Sequence, residues 1–208
     1  RAALPYSQEW MVNMVFQGVL DPLYVFKENF DGDFLDRTYG GSSGGNLYRA
    51  IDPDPPGDQP MGDLTYLGPA SNPTAMANYR LVYDKRSNGE EADWSDIIEL
   101  CRAFDPVQTP NVDFPARMRE LIDPDEWARF FAVQACLSNA DGGIWTNTGE
   151  DFLLYHVPAD SPRLDAGKWI LLPWDIGETF ANTQERLFRP DVPSIRRFLT
   201  HPAFAPLY

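Results

Sequence analysis

Two stretches of this chain, "NADGGIWTNTGEDFLLYHV" (139–157) and "KWILLPWDIGETF" (168–180), set isolated acids against apolar runs. Asp141, Asp151 and Asp175 stand at the open ends of what reads as one apolar hairpin. Carboxylates converging beside a hydrophobic sheet are costly unless something positive sits between them, so a bound cation is the first chemistry they suggest. With two histidines and two cysteines in the chain, a zinc cluster is starved of ligands, and any metal would be held by oxygens, as Mg²⁺, Mn²⁺ or Ca²⁺ are. The same scarcity works against a Ser-His-Asp or Cys-His nucleophile. His156 lies in the strand-like "FLLYHV" and His201 near the end of the sequence, and both read as structural.

The elements that must position these acids are legible as patterns. Strands at 151–157 and 168–174 flank the polar loop "PADSPRLDAG". Pairing Val157 with Lys168 sets Asp151 opposite Trp174, and therefore beside Asp175. Upstream, Asp123 caps a helix, Pro124 suits its first position, Glu126 completes a capping box, and "WARFFAVQACL" supplies the apolar stripe. That helix should end near Asn139 at the "DGG" break. Asp141 then sits in a loop directly after a buried helix, feeding into the same end of the hairpin. Asp is also a common turn former, and from spacing alone ordinary turn and cap residues are the simpler account.

Elsewhere, "DWSDIIELCRAF" places Trp94, Ile97, Ile98, Cys101 and Phe104 on one helical face. "WMVNMVF" and "LYVFKENF" read as a hairpin around the turn "QGVLDP", "DGDFLDRTYG" as a short helix, "GSSGGNLYRA" as a flexible segment before a brief strand, and "YRLVY" as a further strand. Residues 52–78 are rich in Pro, Gly and Asp and read as an irregular excursion, where a solvated acidic loop is simpler than a calcium site. Cys101 and Cys136 each fall in an apolar helical pattern and read as buried thiols.

The 208 residues, 43% hydrophobic, suit one globular unit with a real core. A formal charge of -14, from 31 acidic and 17 basic residues, repels phosphate backbones and anionic membranes and excludes a nucleic-acid binder. No apolar run approaches a bilayer span. A start at Arg1 and an end in the helix-like "HPAFAPLY" read as an internal piece of a longer protein.

In order along the chain, "LYVFKENFDGDFL", "GGNLYRA", "DWSDIIELCRAF", "IDPDEWARFFAVQACLSNADG", the "FLLY" strand, "ILLPWDIGETF" and "RRFLTHPAF" resemble the CotH kinase family, atypical protein kinases first associated with bacterial spore coats. "PWD" followed by "TF" is the sharpest element. The resemblance implies an α+β, diverged protein-kinase-like fold: a β-rich N-lobe remainder with an irregular insertion over about 1–90, and a helical lobe over 91–208 carrying a catalytic loop and a metal-binding hairpin. It implies ATP-dependent phosphoryl transfer, with Mg²⁺ or Mn²⁺, to Ser or Thr of a secreted or surface protein, and an extracellular, cell-surface or spore-coat location.

By the same resemblance Asp141 takes the catalytic-base role, and Asp175 the role of the metal-binding Asp of D-F-G in ordinary kinases. Glu28 matches a family glutamate that pairs with a nucleotide-binding basic residue or touches metal. Asp151 stands where the family usually has Asn and can still coordinate metal, with Asn147 as a substitute cofactor contact. Gly177 replaces a second acid after "PWD", which puts one metal ligand in question, and Pro22 replaces a turn glycine. The family's Arg-Gly-Ser-like segment and the basic residues after it belong upstream of Arg1, so ATP would meet acids here without a dedicated cation. Two alternatives remain open: a surface, adhesion or coat-assembly protein with a degraded kinase site, and a carbohydrate-active protein using paired carboxylates. In the second, Trp145, Trp169 and Trp174 would stack sugars, although core packing accounts for Trp127, Trp169 and Trp174 more simply.

Overall fold

The computed structural model describes residues 4–39, 44–51, 60–139, 142–146, 150–163, 165–177, 179–180, 188 and 190–208. The chain divides into two compact units, one of Pro5–Ser43 and one of Arg1–Leu4 with Gly44–Tyr208.

In the smaller unit, β1 (Glu9–Phe16) and β2 (Val19–Lys27) form an antiparallel hairpin. Its turn is the two residues Gln17 and Gly18, at φ +50° and +83°, the left-handed pair that matches strand twist. The turn is therefore shorter than "QGVLDP", and Val19–Pro22 belong to β2. Pro22 has no N–H for the ladder and sits where the register slips between Val12 and Met14, the kind of bulge that accepts a proline. The next residue, Leu23, takes φ +70° and donates its N–H to Asn13 Oδ1 at 3.4 Å. Large apolar side chains are exposed on both faces of the hairpin, among them Trp10, Met11, Val15, Phe16, Val25 and Phe26. The short helix α1 (Gly32–Tyr39) follows, with Asp31 Oδ1 accepting from the Asp33 and Phe34 N–H groups.

The larger unit is built on an antiparallel sheet of β3 (Asn46–Ala50), β4 (Tyr83–Lys85), β5 (Phe152–His156) and β6 (Trp169–Pro173) in the order β4-β3-β5-β6. Its helices are α2 (Pro73–Val82), α3 (Ser95–Phe104), α4 (Phe114–Leu121), α5 (Pro124–Cys136), α6 (Gly143–Thr146) and α7 (Pro193–Thr200). Strand alternation sends Tyr48, Leu154, Trp169 and Leu171 to one face, where they join Ile97, Phe104, Trp127, Phe131 and Phe198 in a single core. Trp127 stacks on Phe104 at 5.8 Å and donates Nε1–H to the Trp169 carbonyl at 2.9 Å, fastening α5 to the hairpin strand β6. This mixed helix-and-strand architecture agrees with the α+β expectation. No helix among the described residues is long and apolar enough to cross a membrane.

Three local expectations are corrected. "YRLVY" is helical to Val82, because Asn72 Oδ1 caps the Thr74 and Ala75 N–H groups and Pro73 opens α2; only Tyr83–Lys85 is strand. Cys136, the last residue of α5, is exposed, whereas Cys101 is buried. The α5 cap forms through Asp123 Oδ1, which accepts from the Asp125 and Glu126 N–H groups at 3.0 and 3.3 Å, but the Glu126 carboxyl does not complete the box. Its Oε1 is buried without a hydrogen-bond partner.

Glu126 lines a pocket of ≈ 440 Å³ with Asp123, Arg163, Asp165 and Lys168. Burial first, then the charges of Asp123 and Asp165, push its carboxyl up to about 7, against the opposing pull of Arg129 and Arg163. The unfolded chain releases this proton near 4.5 and the folded chain only near 7, so stability falls as pH rises through that window and the loss persists above it. Glu126→Gln should leave stability nearly unchanged at pH 4 and raise it by roughly 1–3 kcal/mol at pH 8. Urea denaturation at the two pH values checks this, and an equal gain at both would remove ionisation as the cause.

Candidate active site at the open end of the β5–β6 hairpin

The hairpin pairs Phe152 with Pro173, Leu153 with Leu172, and so on to His156 with Trp169. Val157 N–H to Lys168 O at 2.9 Å extends the ladder toward the loop, and Trp174 N–H to Asp151 O at 3.3 Å extends it at the open end. This is the register expected from the sequence. It sets Asp151 and Asp175 on neighbouring chain segments, one just before β5 and the other just after β6. Both take left-handed backbone, φ +59° and +38°, a region that costs a non-glycine residue energy and tends to occur where side-chain placement matters. Asp151 is half-buried and Asp175 exposed.

Asp141 and Asn147 lie outside the described residues, but the segments beside them are fixed. At the end of α5, Ser138 takes φ +48°, and buried Asn139 donates Nδ2–H to Gln134 Oε1 at 2.7 Å. Gly142 O accepts from the Trp145 and Thr146 N–H groups at 2.7 and 2.9 Å, starting the single turn α6. Gly143 packs directly on the backbone of Glu150, where a Cβ would overlap the Glu150 carbonyl oxygen and nitrogen. The turn just after Asp141 is thus pinned to the residue just before Asp151. On the other side, Phe180 N–H donates to Leu137 O at 2.7 Å, tying the segment after Asp175 to the end of α5.

A four-member network holds the sheet at the other end of the hairpin, beside its loop. Asp96, on α3, accepts from Asn46 Nδ2 at 2.8 Å and Tyr48 Oη at 2.6 Å, and lies 3.0 Å from His156 Nδ1. Burial alone would raise its carboxyl; the bonds from His156, Tyr48 and Asn46 outweigh burial and hold it below the ordinary value. His156 also stacks flat on Trp169 at 4.4 Å. It is a structural histidine, as expected.

Glu28 belongs to the smaller unit. Its carboxylate accepts from Arg37 Nε at 2.9 Å, from Arg37 Nη2 at 2.5 Å and from the Gln8 N–H at 2.9 Å. The bond from Arg37 is the main reason its carboxyl is held below the ordinary value. Its basic partner is therefore Arg37, on α1.

Among the described residues no group of three His, Cys, Asp or Glu side chains could hold a metal unaided. Mg²⁺ is commonly bound by one or two carboxylates, with substrate phosphates and water supplying the rest, and Asp151 and Asp175 fit that donor set. Gly177, where a Cβ would stand 3.3 Å from Asp175 Oδ1, adds no ligand. Trp145 and Trp169 are buried and unavailable for stacking on a sugar. Trp174 is half-buried, with the Arg49 guanidinium 4.9 Å from its ring centre. Arg49 was not singled out from the sequence, although alternation along "NLYRA" puts it on the same strand face as Leu47, opposite Leu153.

No curated protein matches the sequence. A family model described as CotH kinase protein matches residues 6–208, nearly the whole chain. The chain belongs to the CotH kinase protein family.

Proposed function

We propose that this chain carries the phosphoryl-transfer site of a CotH-like protein kinase, with ATP and Mg²⁺ or Mn²⁺, acting on Ser or Thr of a secreted, cell-surface or spore-coat protein. The fold on this reading is a diverged two-lobed kinase fold, with about 1–90 as the remainder of the N-lobe and 91–208 as the helical lobe, although β3 and β4 of the first span share one sheet with β5 and β6 of the second. The observation that supports it best is the hairpin register, which brings Asp151 and Asp175 to one end while the segments flanking Asp141 are tied to the same end. In phosphoryl transfer the protein mainly positions the reactants and offsets charge.

Asp141 accepts or orients the proton of the acceptor hydroxyl. Asp175 and Asp151 present carboxylate oxygens, and Asn147 is a further contact for the nucleotide; within the smaller unit, Glu28 pairs with the basic Arg37. The metal, when bound, offsets charge on the transferring phosphoryl group. The test is transfer of labelled γ-phosphate to Ser- and Thr-containing proteins, the chain itself included, with Mg²⁺ and with Mn²⁺. Metal-dependent labelling is expected. Nucleotide binding without any transfer would count against the kinase reading.

A second reading, a surface or coat-assembly protein with a degraded site, is favoured by Gly177 in place of a second acid. Partner binding that persists without nucleotide, in a chain that binds no ATP, would support it.

Asp151→Asn separates charge from backbone at this position. Asn is among the non-glycine residues that best tolerate φ near +60°, so the left-handed turn survives the change. Removing one negative charge beside the nucleotide should leave Mg·ATP affinity unchanged or raise it by up to about tenfold, measured by calorimetry. A loss of affinity would show that the Asp151 charge is required.

A further inference from the structure

We infer that Arg49 is the phosphate-binding cation of this site, its guanidinium held over Trp174 and its N–H edge offered to the nucleotide phosphates; this rests on the kinase reading above. Arg49 lies on β3, opposite Leu153 of β5 on one side and Asp84 of β4 on the other. Trp174, whose ring centre is 4.9 Å from the guanidinium, is the residue before Asp175 and donates its N–H to the Asp151 carbonyl. The cation therefore stands at the end of the hairpin where both acids emerge.

It is also unspent. The carboxylate directly across the ladder, Asp84, is paired with Arg86 at 2.9 Å instead. Arg49 makes no ion pair among the described residues, and its Nε is buried with no hydrogen-bond partner. A buried donor lacking an acceptor calls for an explanation, and a ligand that supplies the acceptor is one. A guanidinium lying on an aromatic ring keeps its in-plane N–H groups available, and those match phosphate oxygens as a fork. In a chain of net charge -14, a triphosphate needs such a cation before it can approach two aspartates.

The test uses the full chain and three probes: Mg·ATP, adenosine and inorganic tripolyphosphate with Mg²⁺. Arg49→Gln should weaken Mg·ATP and tripolyphosphate about 10–100-fold, the usual effect of losing a hydrogen bond to a charged group, and leave adenosine unchanged. Arg49→Lys, which keeps charge but loses the fork, should fall between. Thermal melting confirms that each variant is folded; should Arg49→Gln not fold, the Arg49→Lys affinities decide. Wild type and folded variants binding Mg·ATP equally would overturn the role of Arg49 and leave the kinase reading standing. Equal weakening of adenosine and Mg·ATP would make Arg49 a structural prop. Wild type binding neither Mg·ATP nor tripolyphosphate would overturn both readings.

Discussion

Asp141→Asn should lower phosphoryl transfer by about 10²–10⁴-fold while leaving Mg·ATP binding nearly intact, because a group that handles the acceptor proton acts on the chemical step. Asp175→Asn should instead weaken metal-dependent nucleotide binding and turnover together, because on the proposed reading it removes a charge that helps hold the cation. The second variant is clean for a structural reason. Asp175 has φ +38°, and Asn accepts that conformation about as well as Asp, so a loss reports charge rather than backbone. Alanine would confound the two. Measuring affinity and single-turnover transfer on the same preparations separates the roles. If Asp141→Asn transfers phosphate as well as wild type, the base role is wrong.

The second large effect is expected at a glycine beside the acids rather than at an acid. Gly143→Ala should destabilise the fold by about 2–4 kcal/mol, because the new methyl meets backbone rather than a movable side chain. The atoms it would overlap belong to Glu150, immediately before Asp151 and β5, so relief requires shifting the start of the hairpin itself. For a chain of this size the melting temperature should fall by roughly 5–15 °C. Gly142→Ala is the control. Its Cβ would stand 3.2 Å from Asn139 Nδ2, the end of a side chain that can yield, so the cost should stay within about 1 kcal/mol. Equal losses in the two variants would mean that the turn after Asp141 is not seated on Glu150.

The elements around the candidate site that were legible in the sequence are those governed by short-range rules. Period-two alternation in "FLLYH" and "WILLP" and the polar loop between them fix the hairpin register, so the adjacency of Asp151 and Asp175 followed from counting. The Asp123-Pro124 start of α5 is equally local. Misreadings came where local signals competed. "YRLVY" has strand-like residues, but the Asn72-Pro73 cap just before it sets a helical phase that runs to Val82. At Glu126 the spacing fits a capping box, yet the side chain ends up buried beside Asp123 and Asp165.

What could not be read locally depends on strand neighbours distant in sequence. Arg49 and Trp174 meet only because β3 lies beside β5 and β5 beside β6. The Asp96, Tyr48 and His156 network likewise joins residues from α3, β3 and β5. Nothing in "NLYRA" or "DWSD" taken alone announces either contact.

The central claim is that carboxylates at the end of the β5–β6 hairpin hold a divalent cation together with ATP. Titration calorimetry of ATP into the chain, with Mn²⁺ and again with a chelator, tests it most directly. The account predicts at least tenfold tighter binding with metal, a gain that Asp175→Asn removes. The same ATP affinity with chelator as with Mn²⁺ would contradict it.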